Sequence, residues 1–326
     1  MDSVAPAAAL AQGELEAAVR AALAGTYALP IVVALDDAER IAVLAGKPLE
    51  LARAGVAEAH GDHAAARVVE LDVATMPWAA VPAGGLRLWR QHGRAGADGE
   101  LVTELEAGDP PVQVVTTADD WTLVRLLDGA QGWAAPGEAP TEAAEAPGAD
   151  VRDATRVDVT RFVDTALAFA EIPYVWGGTT DSGVDCSGLV QRAAWRAGGC
   201  WLPRHSRALL TVGARVAPSK VDRGDVLVLQ RDPKTYEDEQ RAQLEALAAE
   251  EQRTGAVPSH GPAIHPMHVA IALSPDEVLH ASRDAMRVTR EPLASLRERY
   301  RVLGVRRLGT VAAAPTSPAS APEAHA

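Results

Sequence analysis

The sequence has few cysteines, few aromatic residues and no long apolar run. Its 2 cysteines, Cys186 and Cys200, are too few for a disulfide scaffold or a four-cysteine zinc site. No apolar run approaches the ~18 residues that span a bilayer, and the first residues lack the basic segment and apolar core of a signal peptide. We therefore expect no membrane span and a cytoplasmic protein, or a secreted one if a leader has been removed from the numbered chain.

A basic surface is also missing, because the net charge is −13 and the sequence has no basic stripe. This charge argues against nucleic acid and anionic membrane surfaces as partners. Apolar residues make up 48% of the chain, which is typical of globular domains. The 326 residues are enough for two domains.

Hydrophobic periodicity divides the chain before residue 153 into three parts. Residues 1–72 are interpreted as an N-terminal α/β region, with a helix over 12–24, a strand over 28–35 and a second helix over 36–44. Residues 73–136 carry five short strands between glycine and acidic turns, which predicts a small β-barrel: 85–89, 100–105, 112–116, 121–127 and 131–134. Residues 137–152 have the composition of a linker, and residues 310–326 that of a disordered tail.

Residues 153–309 alternate between helical and strand patterns, which predicts an α+β domain. Helices are expected over 157–170 and over 186–197, and Gly198-Gly199 ends the second. Strands are expected at 225–229, 268–273, 278–282 and 302–308. An acidic helical insert, residues 234–253, lies between the first two of these strands.

Cys186 is the candidate nucleophile, because a glycine-rich approach brings it to the first turn of a predicted helix. Unpaired backbone N–H groups and the helix dipole favour a thiolate there and can bind an oxyanion. A lone cysteine is otherwise usually a small buried apolar residue. Cys200 keeps that interpretation, since none of its neighbours would activate it.

His268 and His280 are the candidate base and its orienting partner. His268 begins one strand and His280 ends the next, and Ser274-Pro275-Asp276 joins the two strands. An antiparallel hairpin would place the imidazoles close together, as a thiol nucleophile and its base require. His260 and His265 lie in a Pro-rich segment whose irregular spacing argues against a metal site with His268.

Six segments in order resemble the NlpC-type family of papain-like cysteine peptidases, which cut peptidoglycan stem peptides. They are Pro173-Tyr174-Val175-Trp176-Gly177-Gly178, Asp185-Cys186-Ser187-Gly188-Leu189-Val190, Leu202-Pro203-Arg204-His205-Ser206, Arg223-Gly224-Asp225-Val226-Leu227, His268-Val269-Ala270-Ile271 and Val278-Leu279-His280-Ala281-Ser282. The turns at 118–121 and 128–133 resemble those of bacterial SH3-like domains. Residues 73–136 are therefore interpreted as one such barrel, and residues 1–72 as a separate region or part of a first SH3-like module.

The resemblance implies a papain-like α+β fold with Cys186 as nucleophile, His268 as general base and His280 as the residue that orients it. It implies hydrolysis of the γ-D-glutamyl bond to the diamino acid through a thioester, with no metal or organic cofactor. Two features differ from the family pattern. The insert before His268 is longer than usual, and the barrel near residues 104–109 lacks a tyrosine that related barrels contribute.

Family members with SH3-like domains commonly require a free N-terminal L-Ala on the substrate. The resemblance implies that Tyr174, Asp185 and Ser187 bind its ammonium group, since a carboxylate and a hydroxyl pair with a primary ammonium. Two alternatives stay open: Asp185 would simply cap the helix, and Tyr174 would be a core aromatic.

The leading functional hypothesis is therefore an endopeptidase that recycles wall-peptide fragments and requires a free N-terminal L-Ala. Two alternatives remain. One is a hydrolase of intact peptidoglycan outside the cell, and the other is a wall-binding protein whose catalytic domain has lapsed. Peptidoglycan stem peptides or muropeptides are the expected partners in each case.

Overall fold

The computed structural model describes residues 47–70, 72–96, 99–234 and 267–309, with 32–34, 41–43 and the separate positions 15, 18, 19, 22, 241, 242 and 245. The described residues form two compact units. The first contains those up to Gly148 together with Val175–Gly188. The second contains Ala149–Tyr174 and the described residues from Leu189 onward.

The start of the first unit is a small three-stranded sheet beside two helices. The strands are β1 (Val32–Ala34), β2 (Ile41–Val43) and β3 (Val68–Glu70), and the helices are Lys47–His60 and Asp62–Ala65. β1 and β2 are antiparallel, whereas β2 and β3 are parallel. One apolar cluster fills this part and contains Leu15, Val19, Ala52, Val56, Ala64, Ala65 and Val68.

One secondary-structure prediction for this region is wrong. Residues 36–44 were predicted as a helix, but Ile41–Val43 form the central strand β2. Short apolar runs do not distinguish a buried strand from a helix by periodicity alone, and two of these three residues are β-branched. The predicted helix over 12–24 is helical at its four described positions, where Leu15 and Val19 are fully buried.

A six-stranded antiparallel sheet forms the larger part of the first unit, in the order β4-β7-β8-β9-β5-β6. Its strands are β4 (Trp78–Ala79), β5 (Leu86–Trp89), β6 (Leu101–Leu105), β7 (Val112–Ala118), β8 (Trp121–Arg125) and β9 (Gln131–Ala134). All five strands predicted from the sequence are present. The β7–β8 hairpin turns through Asp119 and Asp120, both at positive φ, as a two-residue type I′ turn requires.

Part of the segment predicted as a linker runs along β4. The Ala80 N–H donates to the Glu142 carbonyl at 2.8 Å, and the Ala144 N–H donates to the Trp78 carbonyl at 3.0 Å. The two-stranded hairpin of β10 (Thr179–Thr180) and β11 (Gly183–Val184) completes this unit. It immediately precedes the helix that carries Cys186.

A second six-stranded antiparallel sheet is the centre of the second unit, in the order β12-β17-β13-β14-β15-β16. Its strands are β12 (Ala214–Val216), β13 (Val226–Arg231), β14 (Met267–Ala272), β15 (Glu277–Ser282), β16 (Arg287–Pro292) and β17 (Tyr300–Arg307). One apolar cluster on it contains Val221, Leu227, Leu229, Ala270, Ala272, Val278, Leu293, Leu296, Tyr300 and Val305. All residues of β14, and all residues of β15 after Glu277, are buried, and these two strands carry the two histidines.

Three α-helices lie wholly or mostly in the second unit: Val159–Leu167, Cys186–Gly198, of which the first three residues belong to the first unit, and Leu293–Arg299. The first begins at Val159, two residues after the predicted start, and Asp158 before it accepts a hydrogen bond from the Arg161 N–H at 3.0 Å. The Cys186 helix ends as predicted at a glycine pair, where Gly199 takes a φ of 68°. Short 3-10 turns lie at Val73–Thr75, Ala149–Arg152, Ala154–Arg156, Ser206–Thr211 and Pro218–Lys220.

The sequence did not predict β16, Arg287–Pro292. The strand lies at the edge of the sheet, its residues are mostly polar or partly exposed, and it ends in proline. Edge strands commonly have such compositions, which weaken the alternating pattern used to recognise a strand. Most of the predicted helical insert, residues 234–253, lies outside the described residues. Among the residues that are described, no helix is long and apolar enough to cross a membrane.

A buried ion pair joins the start of β13 to the end of β17. The Asp225 carboxylate is fully buried and accepts from Arg307 Nε and Nη2, each at 2.7 Å. Its Oδ2 also accepts from the Asp222 N–H at 2.9 Å. The aspartate of the Gly224-Asp225 motif therefore stabilises the sheet through these contacts.

We predict that Asp225→Ala lowers the free energy of unfolding of this unit by about 3 kcal/mol or more, because it leaves a partly buried arginine without its partner. Urea unfolding followed by tryptophan fluorescence measures the change. Asp164→Ala is the matched control, since Asp164 forms an exposed ion pair with Arg223 and should cost less than about 1 kcal/mol. Equal losses for the two variants would contradict this role of Asp225.

Candidate active site

The helix that carries Cys186 begins with a capped first turn. Asp185 Oδ1 accepts a hydrogen bond from the Gly188 N–H at 2.7 Å and another from the Ser187 hydroxyl at 3.2 Å. This is the arrangement of an N-cap aspartate, whose side chain accepts from the third residue of the helix. Asp185 therefore caps the helix, as one of the two interpretations of this residue expected, and the Ser187 hydroxyl binds the same carboxylate.

The glycines before the cysteine allow close backbone packing within the first unit. The Gly177 N–H donates to Asp185 Oδ2 at 3.0 Å, and Gly177 has a φ of 77°. A Cβ atom there would lie 2.3 Å from the Leu101 carbonyl oxygen on β6, so no other residue fits. A Cβ on Gly188 would likewise lie 2.2 Å from the Gly178 oxygen.

Side chains of the segment before Cys186 also form hydrogen bonds with β6 and with the residue before it. Thr179 donates its hydroxyl to the Glu104 carbonyl, and Thr180 donates to Glu104 Oε2 at 3.4 Å. Trp176 Nε1 donates to Glu100 Oε1 at 3.3 Å. The segment that leads to Cys186 is thereby attached to the six-stranded sheet of the first unit.

The two cysteines have different surroundings. Cys186 is the first residue of its helix, is 8% exposed and is not in a disulfide. Cys200 is not in a disulfide either and is only 1% exposed. Burial, and to a lesser extent the charge of Asp153, raises the pKa of the Cys200 thiol to about 11. Cys200 is therefore protonated at neutral pH, as expected for a structural cysteine.

His268 and His280 form a buried imidazole pair on β14 and β15. His268 Nε2 lies 2.7 Å from His280 Nδ1, and the two rings meet edge to face with centroids 4.9 Å apart. Their side chains lie diagonally across the antiparallel ladder, because β14 and β15 pair Ile271 with Leu279 and Ala272 with Val278. The exposed fractions are 6% for His268 and 2% for His280.

Charged and aromatic side chains from four other elements surround the pair. His280 Nε2 lies 3.0 Å from Glu291 Oε1 on β16, and Arg299 Nη2 donates to both oxygens of Glu291 at 2.7 and 3.0 Å. Tyr300 on β17 stacks on His268 with centroids 5.1 Å apart. Arg231 on β13 donates to the Tyr300 hydroxyl at 2.7 Å.

Burial and nearby arginines keep both imidazoles neutral at physiological pH. Desolvation lowers the pKa of His268 well below the ordinary value of 6.5, and His280, Arg231 and Arg299 lower it further. Desolvation also lowers the pKa of His280, although the charge of Glu291 partly opposes this effect. A neutral imidazole can accept a proton, which is the state a general base requires.

The other sequence-predicted positions are distributed as follows. Tyr174 is buried at the end of a segment that pairs with the second unit's sheet, since its N–H donates to the Met286 carbonyl at 3.0 Å. Cys186, Asp185 and Ser187 lie in the first unit, whereas both catalytic histidine candidates lie in the second. His260 and His265 lie outside the described residues. Within the described ranges, no three metal-ligating side chains cluster.

Sequence reasoning did not identify Glu291, Arg231, Arg299 or Tyr300 as neighbours of the histidines. Glu291 lies on the unpredicted edge strand β16, and its position depends on the register between β15 and β16. Tyr300 and Arg231 face each other across the β13–β17 ladder. Residues 287–292 contain one aliphatic residue, Val288, so the sequence offers no alternating pattern that would have placed Glu291 on a strand.

The sequence model of the NlpC/P60 family matches residues 171–240, a segment that contains Cys186. A gamma-DL-glutamyl hydrolase of Bacillus subtilis (strain 168) is 43% identical over 74 residues, which cover 22% of this chain and 18% of that protein. A probable endopeptidase of Mycobacterium tuberculosis (strain ATCC 25618 / H37Rv) is 45% identical over 75 residues, which cover 23% and 19%.

These matches cover limited parts of the proteins compared. The chain spans less than a fifth of the length of these two curated relatives. Among solved structures, an NlpC/P60 family protein from Bacillus cereus ATCC 10987 is similar with a TM-score of 0.35 and 20% identity, covering 73% of this chain and 65% of that one.

We predict that iodoacetamide at pH 7 labels the native protein once, at Cys186. With a pKa of about 11, Cys200 has a thiolate fraction of roughly one in 10⁴ at that pH. Cys186, at a helix N-terminus, is expected to react faster because that position stabilises a thiolate. Peptide mass spectrometry locates the label, and denatured protein should be labelled at both cysteines. Native labelling at Cys200 would contradict this assignment.

Proposed function

We propose that the protein is a cysteine endopeptidase of peptidoglycan stem peptides. It hydrolyses the γ-D-glutamyl bond to the diamino acid in peptides with a free N-terminal L-Ala. The family match around Cys186 and the name of the Bacillus subtilis relative support a γ-glutamyl hydrolase. The names of the mycobacterial relatives support an endopeptidase.

The buried imidazole pair is the observation that carries the proposal. Two imidazoles in contact inside a sheet both lose hydration, and such a pair contributes less to folding than apolar side chains of similar size. A catalytic base, in contrast, needs a second group that orients its ring. The 2.7 Å contact leaves His268 Nδ1 as the ring nitrogen directed away from His280.

In the proposed reaction, Cys186 Sγ attacks the carbonyl carbon of the γ-D-glutamyl bond. His268 takes the thiol proton as the C–S bond forms, and the carbonyl oxygen becomes an oxyanion. Backbone N–H groups at the start of the helix are suited to stabilise that negative charge. The intermediate then expels the α-amine of the diamino acid, to which His268 returns the proton, and a thioester remains.

Water completes the cycle. His268 removes a proton from water as it attacks the thioester carbonyl, and the second tetrahedral intermediate expels the Cys186 sulfur. The products are L-Ala-γ-D-Glu and a peptide that begins with the diamino acid. His268 returns its proton to the thiolate, so neither a metal nor an organic cofactor takes part.

Selection of a free N-terminal L-Ala is assigned to Tyr174, Asp185 and Ser187. A carboxylate beside a hydroxyl pairs with a primary ammonium and disfavours an acylated chain end. Asp185 already accepts from Gly177, Ser187 and Gly188. Its proposed roles in capping and in binding therefore share one carboxylate, fixed in place before the substrate arrives.

The substrate context is part of the proposal. We assign residues 73–136 to an SH3-like domain and the substrate to soluble muropeptides, in keeping with recycling of wall fragments in the cytoplasm. The requirement for a free L-Ala amine supports this choice, because in intact peptidoglycan the stem-peptide amine is acylated by the glycan strand. The alternative, hydrolysis of intact wall outside the cell, is distinguished by the substrate accepted.

We predict that the protein cleaves L-Ala-γ-D-Glu-diamino acid tripeptide and releases L-Ala-γ-D-Glu, detected by mass spectrometry. Cys186→Ala should lower kcat/KM by about 10⁴-fold or more, because the nucleophile is lost. Cys200→Ala is the matched control and should retain activity. Release of peptide only from sacculi, or equal rates on N-acetylated tripeptide, would contradict the proposed substrate.

A second prediction concerns the pH dependence of kcat/KM. Burial lowers the pKa of His268, so the neutral base persists to lower pH than an ordinary histidine would allow. The acid limb of the profile should therefore lie below pH 6.5, the ordinary histidine value. Initial rates on the tripeptide between about pH 4 and pH 9 measure this limb. A midpoint above 6.5 would contradict the neutral resting state of His268.

A further inference from the structure

We propose that Glu291 is a positioning residue that fixes which ring nitrogen of His268 acts as the base. The inference rests on the proposed function, in which His268 is the base for Cys186. Glu291 acts through His280 and is assigned no contact with the substrate. The proton positions of three side chains are linked, from Glu291 on β16 through His280 on β15 to His268 on β14.

The contact between the imidazoles allows only two neutral arrangements. His268 Nε2 and His280 Nδ1 lie 2.7 Å apart, so one must carry the proton and the other the lone pair. If His268 Nε2 carries it, His268 Nδ1 has a lone pair and can accept the thiol proton. If His280 Nδ1 carries it, His268 Nδ1 is protonated and cannot act as a base.

Glu291 distinguishes these arrangements by its charge. Its Oε1 lies 3.0 Å from His280 Nε2, and its side chain is only 17% exposed. The oxygen lies off the axis of the ring N–H, so the interaction is mainly electrostatic. A carboxylate at this distance attracts an N–H and repels a lone pair, and it therefore places the proton on His280 Nε2.

The proton on His280 Nε2 then determines the protonation of the other three ring nitrogens. A neutral imidazole has one N–H, so His280 Nδ1 must hold a lone pair and accept from His268 Nε2. This leaves the lone pair of His268 on Nδ1, the nitrogen directed away from His280. The charge on β16 thus selects the basic nitrogen on β14.

Arg299 fixes the carboxylate in this role. Its Nη2 donates to both Glu291 oxygens, and such charge-assisted contacts hold the carboxylate in position. Arg299 Nε also lies 3.7 Å from Asp284 Oδ2, and Arg231 Nη2 donates to Asp284 Oδ1 at 3.4 Å. Two arginines and two carboxylates therefore surround the histidines with balanced charge, which suits a neutral pair.

Glu291→Gln tests the role because it keeps the size of the side chain and removes its charge. An amide can accept from a ring N–H or donate to a lone pair, so both histidine arrangements should become populated. We expect kcat on the tripeptide to fall by about 10-fold to 100-fold with little change in KM, since only the proton-transfer step is affected. Glu298→Gln, at an exposed position of the helix that also carries Arg299, is the matched control.

The deciding measurement is the nitrogen chemical shifts of the histidine rings in protein labelled with ¹⁵N-histidine. In the full chain with Cys186→Ala and with Glu291 present, His268 and His280 should both carry the proton on Nε2 at pH 8. A proton on Nδ1 of either ring would overturn the inference. This measurement does not depend on whether a Glu291 variant folds.

The variant separates positioning from simple structural support. In the Cys186→Ala background, Glu291→Gln should give mixed tautomers, whereas Glu298→Gln should leave the pattern unchanged. A loss of activity in Glu291→Gln with unchanged tautomers would show a structural role only and would overturn the inference while the proposed function stands. A wild-type protein that shows the tautomer pattern but cleaves no wall peptide would overturn the proposed function.

Discussion

Two neutral imidazoles lie at hydrogen-bonding distance inside a sheet, and their burial requires that the surrounding strands provide polar partners. A buried polar group costs free energy unless it is paired, and a half-satisfied pair is worse than none. The surrounding strands meet this requirement from several directions. β16 supplies a carboxylate, β17 a stacked phenol ring, and β13 an arginine that binds the phenol hydroxyl. Three other strands of the sheet thus contribute side chains around one polar pair.

At the start of the cysteine helix, polar groups also need hydrogen-bond partners, but a single side chain provides them. The backbone N–H groups of the first helical turn have no partner within the helix. Asp185 accepts from one of them, the Gly188 N–H, and also from the Gly177 N–H of the preceding loop. A single side chain therefore orients both the loop and the helix. This arrangement fixes the direction of the first helical N–H groups without using a residue from a distant strand.

Much of the fold follows from local pattern, and the rest depends on pairing between distant segments. The cysteine helix ends at Gly198-Gly199 as expected, because glycine at positive φ is a local signal. The histidine hairpin likewise follows from two apolar runs and a short turn around Ser274. In contrast, nothing near Glu291 in the sequence indicates that it lies against His280. That contact depends on an edge strand whose polar residues conceal its alternation, and on a register set by β15.

The close approach at Gly177 limits where this chain can be cut into separate fragments. The backbone of β6 occupies the space where a side chain on residue 177 would be, and Thr179 and Thr180 bind Glu104 on the same strand. The boundary between compact units therefore does not coincide with the boundary suggested by sequence composition. A fragment that began at residue 153 would separate the loop before Cys186 from the strand that supports it. If the amino-terminal sheet were exchanged for another module, the new module would have to leave the same close approach between Gly177 and a backbone carbonyl in the place of Leu101.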